Sequence, residues 1–132
     1  PLLDRIDLHV EALPVEYEEL AAEQGGESSA TVRARVVAAR TLQKERYRNL
    51  AGVRCNAQLP GGALRRYCRM TPDAEKILRA AFERLGYSAR AYDRILRVAR
   101  TIADLDGSEV LDSAHLSEAL QYRSLDRKFN IR

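Results

Sequence analysis

The second half of the sequence contains residues that start and stop helices at regular intervals, and this punctuation limits the possible folds most. Thr71, Pro72 and Asp73 form a helix start, because a threonine cap, a proline in the first turn and an acid at the positive end all favour one. Gly86 provides the stop. The apolar residues between them recur at helical spacing: Ala74, Ile77, Leu78, Ala81, Phe82 and Leu85.

Two more helices follow the same pattern. Ser88 is expected to cap a helix that runs to about Leu105, and Gly107 to stop it. Its apolar arc is predicted to comprise Ala91, Ile95, Val98, Ala99, Ile102 and Leu105. Its solvated arc is predicted to comprise Arg90, Asp93, Arg94, Arg97 and Asp104. Either Asp112 or Ser113 should cap a last helix.

The first half predicts less regular structure. Ser28 and Ser29 are good caps for a helix to about Tyr47, and a short helix is expected from 62 to 68. Residues 5–12 (RIDLHVEA) alternate apolar and polar side chains, which predicts a strand with one buried face. No second strong strand follows, so its partner is expected outside this chain. The fold class is therefore mainly α: a small helical bundle with an N-terminal strand-bearing arm.

Length and composition fit one domain with an attached arm. The chain has 132 residues, 45% of them hydrophobic, and no apolar run approaches the roughly 20 residues of a membrane helix. Because it starts at Pro1 rather than Met, we expect a piece of a longer protein. The two cysteines, Cys55 and Cys68, match no common zinc spacing and are expected to be free thiols of a cytoplasmic protein.

Charge is unevenly distributed along the chain. Residues 11–27 carry six acids and no base, whereas residues 28–69 carry ten bases and one acid. Such a basic block suits nucleic acid, with Arg33, Arg40 and Lys44 on one helix side and Tyr47 and Tyr67 as stacking rings. The alternatives are a solvated helix face, or pairing with the acidic stretch. A third interpretation is a helical adaptor that binds a protein partner through that acidic stretch.

No complete catalytic set is present in the sequence. There is no GxxxxGK[ST] phosphate loop, no GxGxxG and no carboxylate pair that predicts a metal site. His9 and His115 are expected to be structural. Arg90 lies in the first turn of a predicted helix, where unpaired backbone N–H groups and the helix dipole favour a phosphate. The competing interpretation places Arg90 on a solvated face with Arg94 and Arg97.

Three stretches resemble the C-terminal part of magnesium-chelatase-like AAA+ ATPases. They are PLLDRIDLHVE, GESSATVRARVVAARTLQKERY and ERLGYSARAYDRILRVARTIADLDGSEVLDSAHLSEALQYR. The nearest branch is the group of bacterial proteins tied to DNA uptake and recombination, which leaves DNA open as a partner. The resemblance implies an AAA+ lid-like fold: residues 1–27 ending the AAA+ core, 28–123 forming the helical lid and 124–132 a basic tail.

The family resemblance also implies roles for two arginines. Arg5 matches an arginine finger that reaches a neighbouring subunit's ATP, and Arg90 matches the second sensor arginine at the start of a lid helix. Both would stabilise charge on the transferred phosphoryl group. The intact protein is expected to use ATP and Mg²⁺, and the partners of this chain are expected to be the rest of the AAA+ core and the neighbouring subunits of a homo-oligomeric ring. This chain alone, which lacks the phosphate loop, is expected to be inactive.

Overall fold

The structure of the chain is a computed structural model that describes residues 2–22 and 25–123. The predicted basic tail, 124–132, lies outside the described residues. The described part is mainly helical, which confirms the predicted helical bundle. Its six α-helices are α1 (Tyr17–Ala21), α2 (Ser29–Arg46), α3 (Gly61–Tyr67), α4 (Pro72–Leu85), α5 (Ala89–Leu105) and α6 (Ser113–Gln121). Two short 3₁₀ turns cover Leu3–Arg5 and Asn56–Gln58.

The predicted helix caps are confirmed. The hydroxyl oxygens of Ser28, Thr71 and Ser88 each accept a hydrogen bond, at 3.2 Å, from the backbone N–H three residues later. Gly86 ends α4 with a φ of 62°, in the left-handed region that glycine tolerates best. Of the two candidates for the last cap, Asp112 is the one used, and its carboxylate accepts from two backbone N–H groups of α6.

Helix α5 is the centre of the bundle, because it packs against α2, α3, α6 and the second 3₁₀ turn. Its Ile95 and Leu96 are 1% and 2% exposed, and burial of each such side chain contributes about 2 kcal/mol. Helix α4 packs on α6, and backbone hydrogen bonds of 2.9 Å join Leu111 to Arg69 and to Thr71, where α4 begins. The arrangement buries Ala103 and Asp104 near the C-terminal end of α5, whereas Ser88, Ala89 and Arg90 at its N-terminal end are exposed.

The predicted strand is not formed among the described residues of the arm. Of the predicted strand, Arg5 belongs to a 3₁₀ turn, and the residues after it have no regular secondary structure. A strand needs a partner ladder, and the arm has none within residues 2–22 and 25–123. The arm instead contacts the bundle: Arg123 donates to the Ile6 carbonyl at 2.6 Å, the His9 N–H donates to the Tyr122 carbonyl at 2.7 Å, and Arg94 pairs with Asp7.

Two predictions about helix faces were wrong. Asp104 was assigned to the solvated arc of α5 but is 3% exposed, whereas Leu105 of the apolar arc is 49% exposed. Asp104 lies inside the bundle because Arg46, Asn56 and Arg100 donate hydrogen bonds to its carboxylate. On α2, only Ala39 and Gln43 are buried, and its first ten residues are exposed.

Candidate functional site

The N-terminal end of α5 is open and positively charged. The Ser88 cap satisfies the N–H of Ala91, while the first N–H groups of a helix have no partner within the helix. Arg90 lies in this first turn with an exposed side chain that forms no hydrogen bond or ion pair to any described residue. The end of α5 therefore offers backbone N–H groups and a guanidinium to an anion.

Aromatic rings hold this end of α5 in place. Phe82 on α4 packs edge-to-face against Tyr87, just before the cap, at 5.7 Å between ring centroids. It packs in the same way against Tyr92, in the first turns of α5, at 5.4 Å. Such pairs add about 1 kcal/mol each beyond the area they bury. The direction of the helix start is thus fixed by packing, so that Arg90 extends from a rigid base.

Arg5 lies on the arm, at the end of a 3₁₀ turn rather than at the start of a strand as predicted. Its side chain is exposed. The ion pair between Asp7 and Arg94 holds the arm against α5, one helical turn from Arg90. The structure therefore brings the arm to the side of α5 that carries Arg90. Among the described residues, no hydrogen bond links Arg5 to Arg90.

The C-terminal end of α5 contains a buried polar network centred on Asp104. The Asp104 carboxylate accepts two hydrogen bonds from Arg46 of α2, at 2.9 and 2.5 Å. It also accepts from the amide of Asn56, at 2.9 Å, and from Nε of Arg100, at 3.2 Å. Burial opposes the charge of Arg46, but its bonds to Asp104 raise the pKa of the guanidinium. The network therefore joins α2, α5 and the second 3₁₀ turn through charged groups.

Its outer members complete the hydrogen bonding. Arg100, 1% exposed, donates to the backbone carbonyl of Glu109 at 2.6 Å and to that of Ser108. The Tyr47 hydroxyl donates to Asn56 at 2.7 Å, and burial raises the pKa of this tyrosine. Sequence reasoning missed the roles of Asn56, Arg100 and Asp104, since their partners lie up to 58 residues away along the chain.

A second feature is a groove between the C-terminal half of α2 and the loop that follows it. It has a volume of about 590 Å³ and an apolar floor that includes Val36, Val37, Leu50 and Val53. Four cations line it: Arg40, Lys44, Arg48 and Arg54. We call it the basic groove. Of the three residues predicted to contact nucleic acid, Arg40 and Lys44 line this groove, whereas Arg33 is exposed on α2 outside it.

One of the two predicted stacking rings, Tyr47, is not available to a ligand. Tyr47 is 2% exposed and belongs to the hydrophobic core, where its ring packs edge-to-face on that of Tyr67 at 5.2 Å. The physical reason is that the end of α2 turns into the bundle, which carries Tyr47 inward. The prediction that both tyrosines stack on bases was therefore wrong for Tyr47.

Within residues 2–22 and 25–123, no group of three or more His, Cys, Asp or Glu side chains could hold a metal ion. No helix there is both long and apolar enough to span a bilayer. Cys55 and Cys68 are free thiols, as predicted. His115 has a structural role: its Nδ1 accepts from the Asp112 N–H in the cap of α6.

Comparison with known proteins identifies the family. Residues 26–123 match the family described as magnesium chelatase, subunit ChlI C-terminal. The chain is 41% identical to YifB of Escherichia coli K12 and 42% identical to the competence protein ComM of Haemophilus influenzae, in both cases over 96% of its length. It is 40% identical to Rv2897c of Mycobacterium tuberculosis over 93% of its length.

The chain spans 24% of the length of each of these relatives. The family match covers nearly all the described helices and extends to Arg123 at the end of the described part. The family match includes the second and the third of the stretches that carry the resemblance in the sequence. The chain belongs to the magnesium chelatase ChlI C-terminal family, the helical lid domain of magnesium-chelatase-like AAA+ proteins.

Proposed function

We propose that this lid domain contributes Arg90 to the ATP site of a larger AAA+ ATPase. The observation that carries the proposal is the exposed guanidinium of Arg90 at the open N-terminus of α5, with no partner among the described residues. Every other arginine of α5 has a partner: Arg94 pairs with Asp7, Arg97 donates to the Leu59 carbonyl and Arg100 lies in the buried network.

The chemistry of this end of α5 suits a phosphate. Arginine stays protonated and offers a planar fork of donors, and the helix dipole adds positive potential at the same place. In the intact protein, ATP supplies the phosphoryl group, and Mg²⁺ and the phosphate loop belong to the part that precedes this chain in the family. Arg90 would bind the phosphates and stabilise the charge that grows during transfer. The isolated chain is then expected to show no ATP hydrolysis.

Arg5 is proposed to act on the ATP of a neighbouring subunit. Support comes from its exposed side chain on an arm that is attached to α5 only two residues later, through Asp7. An arginine held in this way can extend beyond its own subunit. The proposal therefore implies a ring or another homo-oligomer in which each site uses residues of two copies.

The test for Arg90 is ATP turnover by the full-length protein. Arg90→Ala is expected to lower kcat about 100-fold, the usual cost of one donor to a developing charge. Arg84→Ala is the matched control, because Arg84 is also exposed and lies at the end of α4. Turnover that is equal in the two variants would remove Arg90 from the site.

The test for Arg5 uses mixed subunits. Copies with Arg5→Ala and copies that cannot bind ATP should each be inactive alone. Their mixture should recover part of the turnover, because an intact Arg5 then meets an intact nucleotide in the next subunit. Full activity of Arg5→Ala by itself would contradict the proposal.

A second candidate function is nucleic-acid binding by the basic segment 28–69. The observation that favours it is that Arg33, Arg40 and Lys44 are exposed and have no partner among the described residues. Since Tyr47 is buried, binding would rest on phosphate contacts and fall steeply with salt. Anisotropy titrations with single- and double-stranded DNA at low salt test this, with Arg33→Ala/Arg40→Ala/Lys44→Ala as the variant; no binding by the unmodified chain would exclude it.

A further inference from the structure

Residues 10–22, which we call the acidic segment, expose several large apolar side chains. Val10, Leu13, Tyr17 and Leu20 are 75%, 77%, 78% and 71% exposed. Helix α1 within it has five residues and buries none of them. A helix this short is not stable alone in water, and clustered exposed apolar side chains mark contact surfaces. The segment therefore has the character of one half of an interface.

The basic groove has the matching character. Its floor includes Val36 and Val37, which are 48% and 56% exposed on a helix of a folded domain. Among the cations that line it, Arg40, Lys44 and Arg54 have no partner among the described residues, and Arg48 has only an exposed pair with Glu45. No residue of the acidic segment lines the groove in the same copy. The groove is thus not covered by the acidic segment of the same copy, and within that segment Glu16, Glu18 and Glu19 are exposed.

Charge and length agree between the two surfaces. From residue 10 to residue 22 the chain carries Glu11, Glu16, Glu18 and Glu19 and no base, against four cations in the groove. The groove follows α2 from Val36 to Arg48, about 18 Å at the rise of an α-helix. Residues 10–16 lie outside any helix, and seven residues can span about 23 Å when extended, so the segment is long enough to fill the groove.

The apolar floor favours a peptide over a nucleic acid in this groove. A phosphodiester backbone uses the cations alone, and the ring that could stack on a base, Tyr47, is buried. A segment that carries glutamates together with Leu13, Val15 and Leu20 can use both the cations and the valines. Burial of three such side chains would contribute several kcal/mol to the contact.

We propose that the acidic segment of one copy binds in the basic groove of a neighbouring copy. The contact would link adjacent lids through their surfaces, at a place away from Arg90. It goes beyond the proposed nucleotide function and does not rest on it, so either can fail without the other. Because exposed charges provide part of the attraction, the contact should weaken as salt rises.

The experiment is analytical ultracentrifugation of the whole 132-residue chain over a concentration series at low salt. The unmodified chain should associate reversibly. The groove variant, Arg40→Glu/Lys44→Glu, and the arm variant, Glu18→Lys/Glu19→Lys, should each weaken association at least about tenfold. An equimolar mixture of the two should recover most of it, because the reversed segment then meets the reversed groove.

The control variant is Arg65→Glu/Arg84→Glu, which reverses two exposed arginines that do not line the groove and should leave association unchanged. Circular dichroism should show that all three variants are folded. A chain that stays monomeric at every concentration, or a mixture without recovery, would overturn the proposal. So would a chain that remains monomeric yet binds a mixed-sequence DNA oligonucleotide through Arg40 and Lys44, because the groove would then belong to nucleic acid.

Discussion

The two ends of helix α5 use the same residue type in opposite ways. At the C-terminal end, Arg100 is 1% exposed and bonds to Asp104 and to two backbone carbonyls. At the N-terminal end, Arg90 is exposed and has no partner among the described residues. Three helical turns separate them. The charge at the C-terminal end holds helices together, whereas the charge at the N-terminal end is accessible to a ligand.

The difference shows how a small lid domain can have a stable interior and still present an exposed charge for binding. A buried charge is tolerated only when its partners are complete, and removal of one partner leaves the others unpaired. An exposed charge at a helix terminus has no such constraint. The free energy of unfolding of the domain should therefore depend on the C-terminal end of α5. Binding of an anion should depend on the N-terminal end.

Asp104→Ala should produce the largest effect on this comparison. It leaves Arg46 and Arg100 without their carboxylate, and loss of one member of a buried charged set typically costs about 3–5 kcal/mol. Asp93→Ala is the control on the same helix, because Asp93 lies outside the network, beside Gly61, and pairs with Arg97 only at 3.9 Å. Urea unfolding measures both; equal losses would show that the network has no special role.

The middle of α5 should protect Cys68. This thiol is 2% exposed, lies against the Leu96 carbonyl, and burial raises its pKa to about 11 from 9.0. A rise of two units lowers the thiolate fraction near neutral pH about 100-fold. Alkylation of the folded chain should modify Cys55 first, as mass spectrometry of the peptides can show. Equal labelling rates would mean that the bundle opens around α5.

A smaller effect on stability is expected from Asp106, the residue that caps the C-terminus of α5. Hydrogen bonds from His115 and Ser108 hold the pKa of this carboxyl below its usual 3.8. A folded pKa below the unfolded one adds stability above pH 3.8, and this stability is lost as pH falls through the folded pKa.

The measurement for Asp106 is the urea midpoint against pH. The midpoint of Asp106→Asn should lie below that of the unmodified chain near neutral pH, and the two should converge as pH falls below 3.8. A difference that stays constant down to the lowest pH would contradict the role assigned to this carboxylate.

Local features of the fold could be predicted from the sequence, and long-range ones could not. Ser28, Thr71, Ser88 and Gly86 were predicted as caps because a cap depends on three or four neighbouring residues. Asp104 was misplaced because a helical wheel contains no information on Arg46, its partner from another helix. The prediction of a strand was wrong for the same reason, since a strand forms only beside a partner strand.

The candidate site likewise has a local part that the sequence predicts and a long-range part that it does not. The position of Arg90 in the first turn of α5 followed from the Ser88 cap, and the structure confirms that position. The basic groove could be predicted only in part, as a run of cations on α2. Its floor depends on the loop at Leu50 and Val53, which packs against the core and has no regular pattern.

The most direct test compares one substitution at the two ends of the same helix. The free energy of unfolding should be measured in urea for Arg90→Ala and Arg100→Ala in the 132-residue chain. Arg90→Ala is expected to stay within about 0.5 kcal/mol of the unmodified chain, and Arg100→Ala to lose about 3 kcal/mol. A similar loss for both would mean that Arg90 belongs to the fold, and would contradict the assignment of the open end of α5 to a ligand.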